Sequence, residues 1–231
     1  MEAAVTGSTL PVLQLMLQPG EVLIAETGEL SWKSANVSLR TTTAAGGTSG
    51  LFGALGRALA GGGLFMTEYT AQGGPGHVAF AAKIPGSILE EPVSPGRSYL
   101  VHRGGFLCAS SGVTLGIGFQ RKLGAALFGG DGFVLQKIGG EGRAWIELGG
   151  EVVVMDLQPG QVIDVHPGHV GMFEDTVSFE ITTIPGIRNK LFGGDGFFLA
   201  RLSGPGRIWL QTLTLPHLAH ALEPFLPKKT G

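Results

Sequence analysis

The segment GQVIDVHPGHVGMFE sets Asp164, His166, His169 and Glu174 close together. Two imidazoles and two carboxylates are the N and O donors that a first-row transition metal takes. A second histidine pair, His217 and His220 in LPHLAHALEPF, stands three apart on a predicted helix. Two ligands without a third make a weak site, so this pair reads as an exposed helix face. The run LFGGDGF occurs twice, carrying Gly129, Gly130 and Asp131, then Gly193, Gly194 and Asp195. Glycine-rich turns of this kind can aim successive backbone N–H groups at an anion. The single thiol, Cys108, lies in the apolar GGFLCASSG and is expected to be buried and inert, since a nucleophilic thiolate needs exposure and a cationic neighbour.

Each candidate has a plainer architectural reading. A phosphate loop of the G-x-x-x-x-G-K-[ST] kind needs a lysine that LFGGDGF lacks, and a dinucleotide fingerprint needs a βαβ unit. Glycines at these positions instead permit φ > 0 in tight turns, with Asp131 and Asp195 capping them. The duplication favours that reading, because ligand loops are seldom kept in two equivalent corners. The histidine segment resembles the metal motif of cupins, which are also double-stranded β-helices. Cupins, however, place His-x-His on one strand, so both rings share a face. Here Pro167-Gly168 intervene, and the equivalent upstream segment has His102 but Gly105 in place of the second histidine.

Composition narrows the field further. Glycine contributes 40 of 231 residues and charged side chains only 15%, which predicts short apolar strands joined by many turns. A net charge of −2 shows no basic footprint for a phosphate backbone, so no nucleic-acid partner is expected. One cysteine forms no internal disulfide. The N-terminal stretch lacks a basic region followed by a long apolar run, and no segment approaches the ~20 apolar residues of a membrane helix. Together these predict a cytoplasmic protein without a signal peptide.

What must position the candidate residues is a repeat. Displacing the chain by 64 residues carries Gly86 onto Gly150, Pro95-Gly96 onto Pro159-Gly160, and Trp145 onto Trp209, without a gap. A weaker copy precedes these, with Pro19-Gly20 and Gly28 in matching places and an insertion at Ala54 to Gly63. The chain divides into repeats 11–85, 86–149 and 150–213 and a tail, 214–231. Each repeat holds about five short strands, too few for a core of its own. The prediction is one all-β domain of three tandem units with pseudo-threefold symmetry. Ser203-Gly204-Pro205-Gly206 reads as a hairpin connection, and Thr214 with Pro216 predicts the start of a short C-terminal helix.

The segments KLGAALFGGDGFVLQKIGGEGRAWIELGGEV, DVHPGHVGMFEDTV and GIRNKLFGGDGFFLARLSGPGRIWLQTL resemble the TRAP-like family of uncharacterised bacterial and archaeal proteins. Its eukaryotic relatives are linked to mitochondrial biogenesis and altered inheritance of mitochondria. The resemblance implies three TRAP-like β units, a short double-stranded β-helix or barrel-sandwich that often assembles further into a homo-oligomer. It implies no catalytic activity and no cofactor. Fold likeness to the RNA-binding ring proteins that lend the name does not transfer their function.

The functional expectation is a non-enzymatic structural or interaction protein, scaffold or regulator, in membrane or organelle homeostasis. The alternatives are a cupin-like metal enzyme on Asp164, His166, His169 and Glu174, or a small anion- or lipid-binding module. The apolar insertion SGLFGALGRALAGGGLF, through Leu55, Arg57, Leu59, Leu64 and Phe65, is the expected contact for a protein partner or membrane.

Overall fold

The computed structural model describes residues 1–42, 66–121, 132–183 and 198–227. The first stretches form β1 (Glu2–Thr6), β2 (Val12–Leu17), β3 (Val22–Glu26), β4 (Trp32–Lys33), β5 (Val37–Thr42), β6 (Met66–Ala71) and β7 (Gly76–Ala81). Next come β8 (Gly86–Val93), β9 (Tyr99–His102), β10 (Phe106–Ser110), β11 (Val113–Arg121), β12 (Phe133–Gly140) and β13 (Gly142–Gly149). The last set is β14 (Val152–Leu157), β15 (Val162–Val165), β16 (Val170–Glu174), β17 (Ser178–Thr183), β18 (Phe198–Ser203) and β19 (Gly206–Gln211). A 3-10 turn, Pro167–His169, separates β15 from β16, and helix α1 spans Leu215–Leu222. The class is all-β with one short C-terminal α-helix, as the glycine-punctuated sequence requires. Gly129, Gly130, Asp131, Gly193, Gly194 and Asp195 of the LFGGDGF turns, and the insertion with Leu55, Arg57, Leu59, Leu64 and Phe65, lie outside the described residues.

Side-chain alternation makes the strands. In β2 Leu13, Leu15 and Leu17 are buried while their neighbours are half-buried, the period of two that a pleated strand imposes. In β10 the first four residues are all buried, which marks a strand covered on both faces. The Pro-Gly turns enter β3 and β15 with Gly20 at φ +89° and Gly160 at φ +82°, a region open to glycine. Each turn is closed by a backbone bond of 3.0 Å, Glu21 N–H to Gln18 O and Gln161 N–H to Gln158 O.

The strands build four sheets, with orders β1-β2-β7-β4, β5-β6-β3-β10-β13-β8, β11-β12-β9-β16-β19-β14 and β15-β18-β17. Consecutive strands β18 and β19 therefore fall in different sheets, as do β12 and β13. The segment Ser203 to Gly206 is not the hairpin connection that its sequence predicts; it is a corner between two sheets. The tight approach explains its glycines. A Cβ on Gly204 would stand 2.5 Å from Gln158 O, and Gly206 at φ +145° would bring one 2.5 Å from Thr176 Oγ1.

Both six-stranded sheets have one kind of junction at their middle. β3 meets β10 with Ala25 opposite Cys108 and Ile24 opposite Ala109. β9 meets β16 with Val101 opposite Met172 and Leu100 opposite Phe173. Three apolar cores follow. Leu13, Leu15 and Phe80 of the four-stranded sheet pack with Leu23, Tyr69 and Trp145 of the first six-stranded sheet. Phe106, Ile146 and Leu148 of that sheet pack with Tyr99, Val101, Ile138 and Trp209 of the second. Phe173, Ile208 and Leu135 then pack with Ala200 and Leu202 of the three-stranded sheet. The glycine-Arg-x-Trp motif lies in these cores: Arg143 stacks over Trp145 at 5.2 Å and Arg207 over Trp209 at 5.9 Å, with their guanidinium groups paired to Glu90 and Asp156.

Candidate functional site

Where β9, β13 and β19 end, the loop ends, the 3-10 turn and α1 enclose a cleft of about 670 Å³. This is the size range of small-molecule sites. Its wall is Ile84, Phe133, Val134, Pro167, Leu213, Leu215, Pro216 and Ala219, with Lys83, His102, Arg103, Glu147, Gln211 and Thr214 as the polar contributors.

Glu147 lies next to last in the run RAWIEL, before buried Leu148, and is 4% exposed. Its Oε1 accepts the Lys83 backbone N–H at 2.7 Å, clasping the loop that leads into β8. Its Oε2 is buried and accepts no hydrogen bond; the Lys83 ammonium stands 3.5 Å away. Burial pushes the Lys83 ammonium down, but Glu29, at 3.0 Å, and Glu147 outweigh it and hold it above its usual value. His102 Nε2 lies 3.4 Å from the Glu147 carbonyl oxygen, and burial keeps this imidazole below its ordinary pKa. Behind it Gln136 Nε2 donates to Glu26 at 2.6 Å; burial raises the Glu26 carboxyl nonetheless.

Gln211 does for β19 what Glu147 does for β13. Its side-chain oxygen accepts the Gly149 N–H at 2.9 Å and its amide donates to Gly168 O at 2.9 Å. Its own carbonyl accepts from His169 Nδ1 at 2.8 Å. Thr214 caps α1 by accepting the His217 N–H at 3.2 Å, with Pro216 in the first turn, as the sequence predicts.

The four sequence-predicted metal ligands do not converge. Asp164 on β15 is held by Arg201 in a two-bond fork, 2.8 Å at each oxygen, which keeps its carboxyl low. Glu174 accepts the Arg207 backbone N–H at 2.9 Å. His166 and His169 do meet, with ring centres 5.8 Å apart, and their third companion is His217 from α1, at 5.7 and 5.4 Å. Burial, then the charges of His169 and His217, push His166 below its ordinary pKa. Among the described residues no group of three His, Cys, Asp or Glu side chains is placed to hold a metal ion. His220 faces solvent beside Glu223. Cys108 is fully buried, and burial lifts its thiol well above the usual value.

Lys83, Glu147, Gln136 and Glu26 are absent from the sequence-derived candidates. The signal available was a lone polar residue at the buried end of an apolar strand, Glu147 in RAWIEL and Gln211 in RIWLQ.

The chain is 25% identical over 225 residues to an uncharacterised protein of Streptococcus pyogenes serotype M6, covering 96% of this chain and 89% of that protein. The X-ray crystal structure of a Streptococcus pyogenes protein superposes with a TM-score of 0.76 at 21% identity, over 97% of this chain and 99% of that one, which shows a shared fold. A family model described as mitochondrial biogenesis AIM24 matches residues 3–213, nearly the whole length, and the chain belongs to that family.

Proposed function

We propose that the protein is a non-enzymatic binding scaffold of three repeated β units, whose cleft under α1 takes a small apolar molecule bearing a hydrogen-bond donor. The observation that carries this is a cleft of about 670 Å³, walled largely by apolar side chains, with Glu147 Oε2 buried on it, ion-paired to the Lys83 ammonium at 3.5 Å and accepting no hydrogen bond. The ion pair leaves this buried carboxylate oxygen with hydrogen-bonding capacity to spare, and a ligand amine, amide or hydroxyl has the polarity to use it. Three further polar groups support binding over turnover, because they hold backbone in place. Glu147 Oε1 clasps the Lys83 loop, Gln211 ties β13 to the 3-10 turn, and Thr214 fixes α1. In this reading the family's link to mitochondrial biogenesis comes through binding and assembly. No described helix is long and apolar enough to cross a membrane.

Thermal denaturation with octylamine, octanol and octanoate tests the proposal. Octylamine and octanol raise the melting temperature and octanoate does so less, by the linkage of ligand binding to folding. Glu147→Gln keeps the backbone clasp and weakens the octylamine effect most. A flat response to all three at millimolar concentration overturns the reading.

A further inference from the structure

Two corresponding residues close their turns by different chemistry. Gln211 stands 64 positions after Glu147, as Gly168 does after Gly104. In the later unit Gln211 Oε1 accepts the Gly149 N–H and the Gln211 amide donates to Gly168 O, both at 2.9 Å. In the earlier unit Glu147 Oε1 accepts the Lys83 N–H at 2.7 Å, but an ionised carboxylate is an acceptor only and offers Gly104 O nothing. The Lys83 ammonium does that work instead. Its Nζ donates to Gly104 O at 3.3 Å, lies 3.5 Å from Glu147 Oε2 and 3.0 Å from Glu29 Oε2.

Lys83 is the movable member of this group. Its side chain is 45% exposed, against 14% for Glu29 and 4% for Glu147. The clasp on its backbone N–H does not involve the side chain, so the ammonium can swing away on its flexible stem while the loop stays fixed. Three acceptors then remain, two carboxylates and one carbonyl, beside the apolar wall of Ile84, Phe133, Leu213 and Leu215. An ammonium has three donors to match them, and an alcohol has one.

We propose that Lys83 is a tethered stand-in for the cleft's ligand, and that a primary alkylammonium displaces it, setting its nitrogen among Glu147 Oε2, Glu29 and Gly104 O and its chain along the apolar wall. This rests on the reading of the cleft as a binding site and narrows its ligand to primary amines. One ammonium replaces another, so the exchange buries no additional charge, and burial of the alkyl chain drives it. The site also keeps an amine charged. Burial lowers the Lys83 ammonium, yet Glu29 and Glu147 more than reverse this and hold it above its usual value.

Chemical rescue tests the proposal. Lys83→Ala removes the stand-in and keeps the backbone clasp; Lys83→Met, which also keeps the stem, is measured beside it. Both are expected to melt below the wild type, because a buried carboxylate has lost its cation. Ethylammonium chloride is expected to restore the melting temperature, and tetramethylammonium chloride, an equal charge without donors, is not. Octylamine is expected to bind both variants roughly tenfold more tightly than it binds the wild type, the contribution of one hydrogen bond to a charged group, with a smaller gain for octanol. Adding Glu147→Gln to Lys83→Ala recreates the Gln211 arrangement, so that double variant is expected to regain stability with no amine present. Equal action of ethylammonium and tetramethylammonium overturns the proposal, as does an octanol gain that matches the octylamine gain. A wild-type chain that responds to neither octylamine nor octanol refutes the cleft as a ligand site, and the ethylammonium rescue still decides whether the ammonium site exists.

Discussion

The imidazole of His166 stands against those of His169 and His217, and it resists protonation because of its burial and their charges. His102 resists it through burial alone in a cleft wall. For both groups the folded state binds fewer protons than the unfolded chain once pH drops below 6.5. Their contribution to stability is complete above that value and is lost as pH falls toward the folded pKa values. Glu26 works the other way: its raised carboxyl favours the fold below 4.5 and ceases to do so as pH rises through its folded value. Melting temperature is therefore expected to fall on mild acidification, and His217→Asn, which removes one repelling charge, is expected to flatten that fall. Equal slopes for the variant and the parent would refute the role of the histidine cluster. Elemental analysis of purified protein, in turn, is expected to find no stoichiometric transition metal. At this scale the sequence was only half legible. The Pro167-Gly168 turn that the sequence sets between His166 and His169 nonetheless brings their rings within 5.8 Å, while strand register sends Asp164 to Arg201 and Glu174 to the Arg207 backbone. The companion His217 is remote in sequence, and only the docking of α1 brings it in.

Strands were the most legible elements, because alternation in runs such as VLQLML states both their type and their buried face. Their partners were less so. Two apolar runs around Ser203-Gly204-Pro205-Gly206 have the spacing of a hairpin, and the same spacing serves a corner between sheets. Only the crowding around Gly204 and Gly206 distinguishes the two, and local sequence does not contain it. Gly206→Ala is expected to destabilise the fold by about 1–3 kcal/mol from backbone strain alone, with its contact on Thr176 adding to that. Chemical denaturation measures it, and an unchanged midpoint would refute the corner's constraint. Helix α1 depends on its cap. Thr214→Ala is expected to cost about 1 kcal/mol and to speed amide exchange in Leu215–Leu222, while exchange in β13 stays slow. Uniform acceleration through both elements would show instead that the helix is integral to the core.

For the molecule as a whole, repeated glycines and tryptophans suggest division into successive stretches, but not how those stretches combine. Each six-stranded sheet draws three strands from one stretch and three from the next, and the second core takes Ile24, Ile146 and Trp209 together. That sharing was invisible because it rests on contacts far apart in the chain. It has a consequence for synthesis. As the chain leaves a ribosome, β3 emerges with its Leu23, Ile24 and Ala25 ready to pair, but its partner β10 has yet to be translated, and β9 waits likewise for β16. At about 5–20 residues per second, an apolar strand edge stays bare for seconds. A nascent chain of this design is expected to need chaperone cover during translation, and a slow-codon stretch placed between β3 and β10 is expected to lower the soluble yield without altering one residue of the finished protein.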